Sequence, residues 1–346
     1  MAAMSFPIGA DSVRDIVNSV LSLVSWKTLA LVLALVNIKN LPFTWHVRLL
    51  YYLIGNLRFR PGITLPGNAQ RALDAKGKPT HPVFVPTSIY SRTPFLETDY
   101  NIHKSNSTYF SDLDVSRTAL VTRLYTPGMS IVSKQLDKEL LDASKGGKPP
   151  KKKAPMYIAL GSVYCTFKRE IKPFELYEIQ SRVAAWDKKW LYTISFFLRP
   201  EKRKGQGKTL FAVAISKYVV KKGRLTVPPE RVLRASGFLP PMPEGVSEQP
   251  IVSDSGETST SGTPASAEGI TAGQGVDGSL LREVLTVNED KFPNSTELDK
   301  QKKENGGSWD SEEWTWERIE QERKRGMQLI EGYTELDAKL HAEWES

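Results

Sequence analysis

Apolar and polar positions alternate in this chain in a way that separates a sheet-forming core from its two ends. Four runs rich in Val, Ile, Tyr, Phe and Trp follow one another, at Met156–Phe167, Phe174–Trp186, Trp190–Leu198 and Thr209–Val220. Each is bounded by turn residues or charge, so the pattern predicts four successive strands. Within the second, Tyr177, Ile179, Ser181 and Val183 alternate with Glu178, Gln180 and Arg182, the period of a strand with one buried face. Asp187-Lys188-Lys189 is short enough to join two of these strands as a hairpin. Upstream, Val83-Phe84-Val85 and the residues through Tyr90 suggest another strand, and Asn106 to Leu124 a helix. Tyr109, Leu113, Ser116 and Leu120 share one face of that helix, Ser105, Asn106 or Ser107 can cap it, and Pro127-Gly128 stops it. Such a helix needs a sheet to cover.

The ends are of a different kind. Residues 1–60 read as an apolar helical segment that associates with a membrane: Ile16 to Val36 carries a single charge, Lys27, and Thr28 to Val36 is apolar on every face. The span is long enough to cross a bilayer, but a lysine near its middle costs about 2.5 to 3.5 kcal/mol on an insertion scale. A second apolar patch, Leu49 to Ile54, follows, with Trp45, Tyr51 and Tyr52 as interfacial anchors. A true span, a pair of interfacial helices and a helical hairpin packed on the domain all remain open. A cleaved signal peptide fits less well, because Asp11 and Asp15 precede the apolar run. If the segment spans, Lys39, Arg48, Arg58 and Arg60 after it, against Arg14 before it, leave the main domain facing the cytoplasm. Residues 61–81 are a Gly- and Pro-rich linker, 82–240 the folded core, and 241–308 a linker whose Ser, Gly, Thr and Ala content cannot build a core. Residues 309–346 carry Trp309, Trp314, Trp316, Ile319, Met327, Ile330, Tyr333, Leu336, Leu340 and Trp344. That is an amphipathic helix that must dock on the domain, a partner or a membrane face.

Composition narrows the classes. With 346 residues and 40% hydrophobic content the chain can bury a sizeable core. The single cysteine, Cys165, sits in an apolar run and reads as a small core residue, and an intrachain disulfide is impossible. The net charge of +8 owes much to Lys148 and Lys151 to Lys153, and to Lys202, Arg203, Lys204 and Lys208. No stacking or groove-reading motif accompanies them, so they read as solvated loops and no nucleic-acid partner is expected. His46, His81 and His341 are scattered, no His/Cys/Asp/Glu cluster has metal-ligand spacing, and neither a phosphate-cradling glycine loop nor a G-x-S-x-G elbow is present.

The chemistry concentrates in Asp99 to Tyr109, followed by Arg117. A carboxylate, an imidazole and an amide stand immediately before the predicted helix, where acceptors, donors and a positive helix end can converge on one carbonyl. Each also has a plainer role: Asp99 as a turn residue, His103 as a structural partner of the loop, Asn106 as a cap, and Asp114 with Arg117 as a helix-surface pair or a buried pair at a dimer seam.

Asp99, His103, Asn106, Tyr109, Asp114 and Arg117 at this spacing, then Arg169 to Glu175 and Ala185 to Tyr192, resemble the hot-dog-fold thioesterase-like superfamily. The resemblance covers roughly residues 82 to 222. It is closest to the membrane-associated thioesterase-like proteins of animals and to fungal thioesterase-like proteins, some from secondary-metabolite clusters. The resemblance implies an α+β fold in which a curved antiparallel sheet wraps a central helix, a homodimer that completes the sites, and hydrolysis of acyl thioesters linked to CoA or to a carrier, with no organic cofactor and no metal. It implies that Asp99 is the general base or nucleophile and that amides near Asn106 to Thr108 bind the carbonyl. His103, Asn106, Ser107, Thr108 and Tyr109 line the substrate, and Asp114 and Arg117 are structural or lie at the dimer seam. Two positions depart from the pattern: Ile102 replaces a common glycine, which would permit a left-handed turn, and Ser105 replaces a common asparagine. A hot-dog domain that binds acyl chains or protein partners without turnover is the alternative; a hydratase or dehydratase of the same fold ranks third.

Overall fold

A computed structural model describes residues 14–15, 18–19, 25–56, 80–126, 128–143, 155–201, 207–241, 243, 252–253 and 295–345. In chain order the elements are α1 (Trp26–Val36), α2 (Thr44–Asn56), β1 (Thr87–Arg92), α3 (Thr108–Tyr125), α4 (Gly128–Ala143), β2 (Met156–Phe167), β3 (Leu176–Trp186), β4 (Trp190–Arg199), β5 (Thr209–Lys222), β6 (Leu225–Val227), α5 (Pro229–Ala235), β7 (Val252–Ser253), α6 (Ser295–Gly306) and α7 (Trp316–Glu345). One-turn 3₁₀ segments at Ile38–Asn40, Pro82–Phe84 and Phe95–Glu97 shape the connections.

The strands form one antiparallel sheet in the order β1-β3-β4-β5, with β2 paired to the other side of β5. The β3–β4 hairpin follows from one residue: Asp187 Oδ1 accepts from the N–H groups of Lys189 and Trp190 at 2.7 and 2.6 Å. The sheet curls around α3, whose Leu113, Leu120 and Leu124 are fully buried. Toward its N-terminus α3 packs with Tyr177, Ile179, Phe197 and Phe211, and toward its C-terminus with Val183, Trp186, Leu191 and Val220. This is the hot-dog arrangement of a helix wrapped in a sheet. At about 25 cal/mol per Å² of apolar surface, side chains of this size are worth roughly 1.5 to 3 kcal/mol each when buried.

The four strands stand where the apolar runs place them, within two residues at each end. The Val83 run does not: it begins as a 3₁₀ turn at Pro82–Phe84, and pairing starts only at Thr87. The expectation of one buried face on β3 is corrected as well, because almost every residue of that strand is buried. Its second face is covered by α7, which lays Met327, Ile330 and Tyr333 over Ala184, Trp190, Tyr192 and Val219. Arg323 fixes the crossing by donating to the Trp186 carbonyl at 2.6 Å. The C-terminal helix therefore docks on the domain itself. The helix stops at Tyr125, before Pro127 as the punctuation predicts, and a further helix, α4, starts at Gly128, anchored by Val132 and Leu136. Most of the two proposed linkers lies outside the described residues; within the second, 295–306 is helical.

His81 is fully buried between Trp309 and Trp314, with ring centroids 4.8 and 5.5 Å away, and its Nδ1 accepts from Val83 N–H. Burial lowers its pKa to about 3, so it is a neutral core residue. Cys165 is half-buried against the core, and burial pushes its thiol up to about 11.

The two N-terminal helices differ in what they bury: no residue of α1 is buried, whereas α2 lies on the core. On α2, Trp45, Leu49 and Tyr52 pack against the core, and Asn56 donates to the Ala119 carbonyl and to Thr122 Oγ1 of α3 at 3.1 and 2.5 Å. Elsewhere the segment exposes Leu29, Leu31, Leu35, Ile38, Phe43, Val47 and Tyr51, and Trp26 is 82% exposed. At 1.5 Å per residue α1 is roughly 16 Å long, and no described helix is long and apolar enough to cross a membrane.

Gly326 is where α7 meets β3: a Cβ there would sit 1.8 Å from the Ala184 carbonyl oxygen. Gly332, on the same helix, would meet nothing within 4 Å. Overpacking predicts that Gly326→Val costs about 1 to 3 kcal/mol or undocks the helix, whereas helix propensity predicts that Gly332→Ala gains up to about 1 kcal/mol. Thermal unfolding of the two variants checks this, and equal midpoints would contradict the docking geometry.

Candidate active site

Between β1 and α3 the chain makes a narrow hairpin-shaped loop whose neck and tip have different jobs. At the neck, Thr98 and Lys104 form an antiparallel bridge and the Glu97 carbonyl accepts from Ser105 N–H at 2.7 Å. Further out, Asp99 N–H donates to the His103 carbonyl and Ile102 N–H to the Asp99 carbonyl, at 2.8 and 3.0 Å. The tip, Tyr100 to Ile102, is exposed. The Asp99 side chain is fixed by its own loop: Oδ1 accepts from the N–H groups of Asn101 and His103, at 3.0 and 3.3 Å. Its Oδ2 has no partner among the described residues.

Ile102 has φ of +62°, the left-handed conformation that a glycine at this place would supply. A residue with a Cβ in this conformation carries strain of about 1 to 2 kcal/mol, because Cβ crowds the following carbonyl. With Ile102 in that turn, Asp99 Oδ1 still accepts from the Asn101 and His103 N–H groups.

The loop forms one wall of a cleft of about 540 Å³, with Asp99, His103, Asn106 and Tyr109 on that side. Phe167, Lys168, Arg169 and Glu170, at the end of β2, form the other. His103 spans the two walls, with Nε2 3.1 Å from Glu170 Oε2 and Nδ1 3.7 Å from Asp99 Oδ1. It holds the walls together. Tyr109 is buried with its ring against Phe167 and Phe197, at 4.9 and 4.8 Å, and burial raises its phenol well above the ordinary value, so it is an apolar floor with a neutral hydroxyl.

The helix begins at Thr108, two residues later than the sequence suggests, and no side chain caps it. Thr108 turns inward instead: its N–H and Oγ1 both donate to the Ser105 carbonyl, at 3.0 and 2.7 Å. That uses the Thr108 amide internally. Among the described residues the Asn106 and Ser107 N–H groups find no acceptor, so these two, at the positive end of an 18-residue helix, are the donors available to a ligand. Asn106 lines the cleft; Ser107 and Thr108 do not.

Asp114 and Arg117 stand apart from the cleft. Arg117 is 1% exposed, reaches Asp114 through Nη2 and donates from Nη1 to Ser216 Oγ of β5 at 2.9 Å, which ties the helix to the sheet within one protomer. No group of three or more His, Cys, Asp or Glu among the described residues is arranged to hold a metal ion.

Beneath the loop lies a group the sequence did not announce. Glu97 and Lys104, one on each side of the neck, meet Asp112 of α3, Tyr177 of β3 and Lys39, which follows α1. The residues come from five separate segments, so no local spacing points to them. Burial opposes the charge on Asp112, yet Lys104 and Lys39, with hydrogen bonds from Lys39 and Tyr177, hold its carboxyl well below the ordinary range. Arg169 and Glu170 belong to the stretch that carries the family resemblance, but only the fold shows that they face Asp99.

Residues 93–249 match the sequence pattern of the thioesterase-like superfamily. The chain is 34% identical over 339 residues to thioesterase lcsJ of Purpureocillium lilacinum, covering 93% of this chain and 94% of that one. It is 38% identical over 226 residues to the probable thioesterase atnL of Emericella nidulans, covering 61% of this chain and 71% of that one. Among solved structures, BH1999 gentisyl-coenzyme A thioesterase aligns at 17% identity and a TM-score of 0.29, over 43% of this chain and 96% of that one. The chain belongs to the thioesterase-like superfamily.

Relief of the strain at Ile102 is measurable. Ile102→Gly should raise stability by up to about 1 kcal/mol, net of the extra backbone entropy of glycine, and Ile102→Ala, which keeps the strain, should not. A lower unfolding midpoint for Ile102→Gly than for the unaltered protein would contradict the left-handed assignment.

Proposed function

We infer that the protein hydrolyses acyl thioesters in the Asp99 cleft. The observation that carries the reading is the pairing, in one cleft, of a carboxylate whose one oxygen is fixed by loop N–H groups with the unspent Asn106 amide just before a helix start, in a chain of the thioesterase-like superfamily. The thioester carbonyl oxygen accepts from the Asn106 amide, at the positive end of α3, where negative charge develops as the carbonyl carbon becomes tetrahedral. Asp99 Oδ2 takes a proton from water as the water oxygen bonds to that carbon. The C–S bond then breaks, the thiol takes the proton, and the carboxylic acid remains. A thiolate is a good leaving group, so one base and one preorganised donor suffice. His103 positions the walls, and Tyr109 and Phe167 supply apolar surface beside the reacting carbonyl.

Lys168 and Arg169 put two cations on the lip opposite Asp99. They suit the phosphates of CoA or of a phosphopantetheine carrier, which would extend outward while the acyl chain enters. Two further features support the wider assembly. β2 pairs only with β5 among the described residues, leaving a 12-residue edge beside the cleft on which a second copy can pair. The exposed apolar side of α1 and α2 suits insertion into the interfacial region of a membrane, with the catalytic domain resting on its surface.

Asp99→Asn and Asp99→Ala should each lower kcat toward acyl-CoAs of graded chain length by about 10² to 10⁴ with little change in KM, the usual contribution of a positioned general base. Rates equal to the unaltered protein would remove Asp99 from the chemistry; binding of acyl-CoA without turnover by the unaltered protein would favour the acyl-binding alternative. Sedimentation and liposome flotation test the assembly: the full chain should sediment as a dimer and float with vesicles, and replacing Leu31 and Leu35 by Asp should abolish flotation without changing the dimer. A monomer, or flotation indifferent to those replacements, would count against the corresponding reading.

A further inference from the structure

The segment between α1 and α2 reaches from the apolar face of the molecule to the neck of the Asp99 loop. Asn37, 2% exposed, closes the end of α1 by donating from Nδ2 to the Leu33 carbonyl at 2.9 Å. Its Oδ1 accepts from Leu96 N–H at 2.7 Å, so the same side chain grips the 3₁₀ turn that leads into the loop. Two residues on, Lys39 Nζ lies 2.9 Å from Glu97 Oε2, 2.8 Å from Asp112 Oδ2 and 3.0 Å from the Tyr177 hydroxyl. Glu97 in turn holds Lys104 Nζ at 2.6 Å, and Lys104 pairs with Asp112 at 3.0 Å. Glu97 and Lys104 are the two sides of the neck from which Asp99 projects. Lys39 thus joins the neck to α3, the helix that follows Asn106 at the cleft wall.

We propose that Asn37 and Lys39 are positioning residues of the active site, holding the Pro94–Ser105 loop in register with the start of α3, so that the apolar helix pair and Asp99 move as one unit. Neither residue touches the cleft, and neither takes part in bond making. A lysine in this place has a cost: burial and the neighbouring Lys104 both disfavour its charge, and only Asp112 and Glu97 oppose them. The fold does not need it for charge balance. Without Lys39, Glu97 keeps Lys104, and Asp112 keeps Lys104 and Arg48, the latter at 3.2 Å. What Lys39 adds is the link from α1 to the loop. The catalytic consequence rests on the thioesterase reading above; the mechanical one does not.

Full-length protein, Lys39→Met, Asn37→Ala and Lys39→Arg are compared by amide hydrogen exchange and by acyl-CoA hydrolysis. Lys39→Met and Asn37→Ala should speed exchange in residues 95–106 about tenfold or more, with β3 and β4 unchanged, as expected for a local opening. They should lower kcat by roughly 10 to 10²-fold at nearly constant KM, since small misplacements of a catalytic group act on the chemical step. Lys39→Arg, which restores the cation, should recover most of both. Unchanged exchange in 95–106 in both variants overturns the proposal. So does exchange that rises across β3 and β4 in both, or failure of both to fold, because the residues would then hold the fold rather than the loop. If the unaltered protein shows no hydrolysis, the thioesterase reading falls, and the exchange data still decide the positioning claim.

Discussion

Five charged side chains meet under one loop: Lys39, Arg48, Glu97, Lys104 and Asp112, with Lys104 and Asp112 essentially without solvent contact. Charges removed from water in this way are tolerable only when each is paired and hydrogen-bonded, and leaving one of them with no partner costs about 3 to 5 kcal/mol. That requirement fixes several elements at once. The loop neck and the first turns of α3 must arrive together, or a buried charge is stranded, and the start of β3 through Tyr177 and the turn after α1 through Lys39 join them there. The position of the Asp99 carboxylate, just beyond the neck, follows from that constraint.

Around this polar centre the rest of the core is apolar and ordinary in kind. The sheet has a helix on each side, α3 within the curl and α7 outside it, so β3 and β4 are covered on both faces. Double cover makes the sheet a rigid platform, and the two residues that limit its geometry most are small ones: Gly326, where α7 touches the β3 backbone, and Gly161, where β2 passes over Trp190. Asp99 stands at one edge of that platform, facing the end of β2. A cleft built at a sheet edge can be closed by whatever pairs with that edge.

The apolar N-terminal segment shows how one stretch of chain can satisfy two environments. Trp45, Leu49, Tyr52 and Asn56 of α2 face the protein, while α1 and the other side of α2 face outward. Asn37 and Lys39, between the helices, give the segment a further connection, to the loop. A mere tether would not place a lysine in a buried ionic group.

By itself the sequence determined the element types and the chemical candidates. Alternation gave the four long strands, capping and punctuation gave α3, and the spacing of Asp99, His103, Asn106 and Tyr109 gave the loop and its family. These are local properties, carried by residues within a turn or a strand of one another. Tertiary structure decided the rest. That β3 is buried on both faces depends on a helix more than a hundred residues downstream. That Glu170 lies against His103, or that Lys39 serves Glu97 and Asp112, depends on contacts between segments whose separation in sequence carries no periodic signal. Ile102 marks the boundary between the two: its identity argued against a left-handed turn, and the surrounding hydrogen bonds and the paired charges beneath the neck impose that turn regardless, because together they outweigh the strain of one β-branched residue.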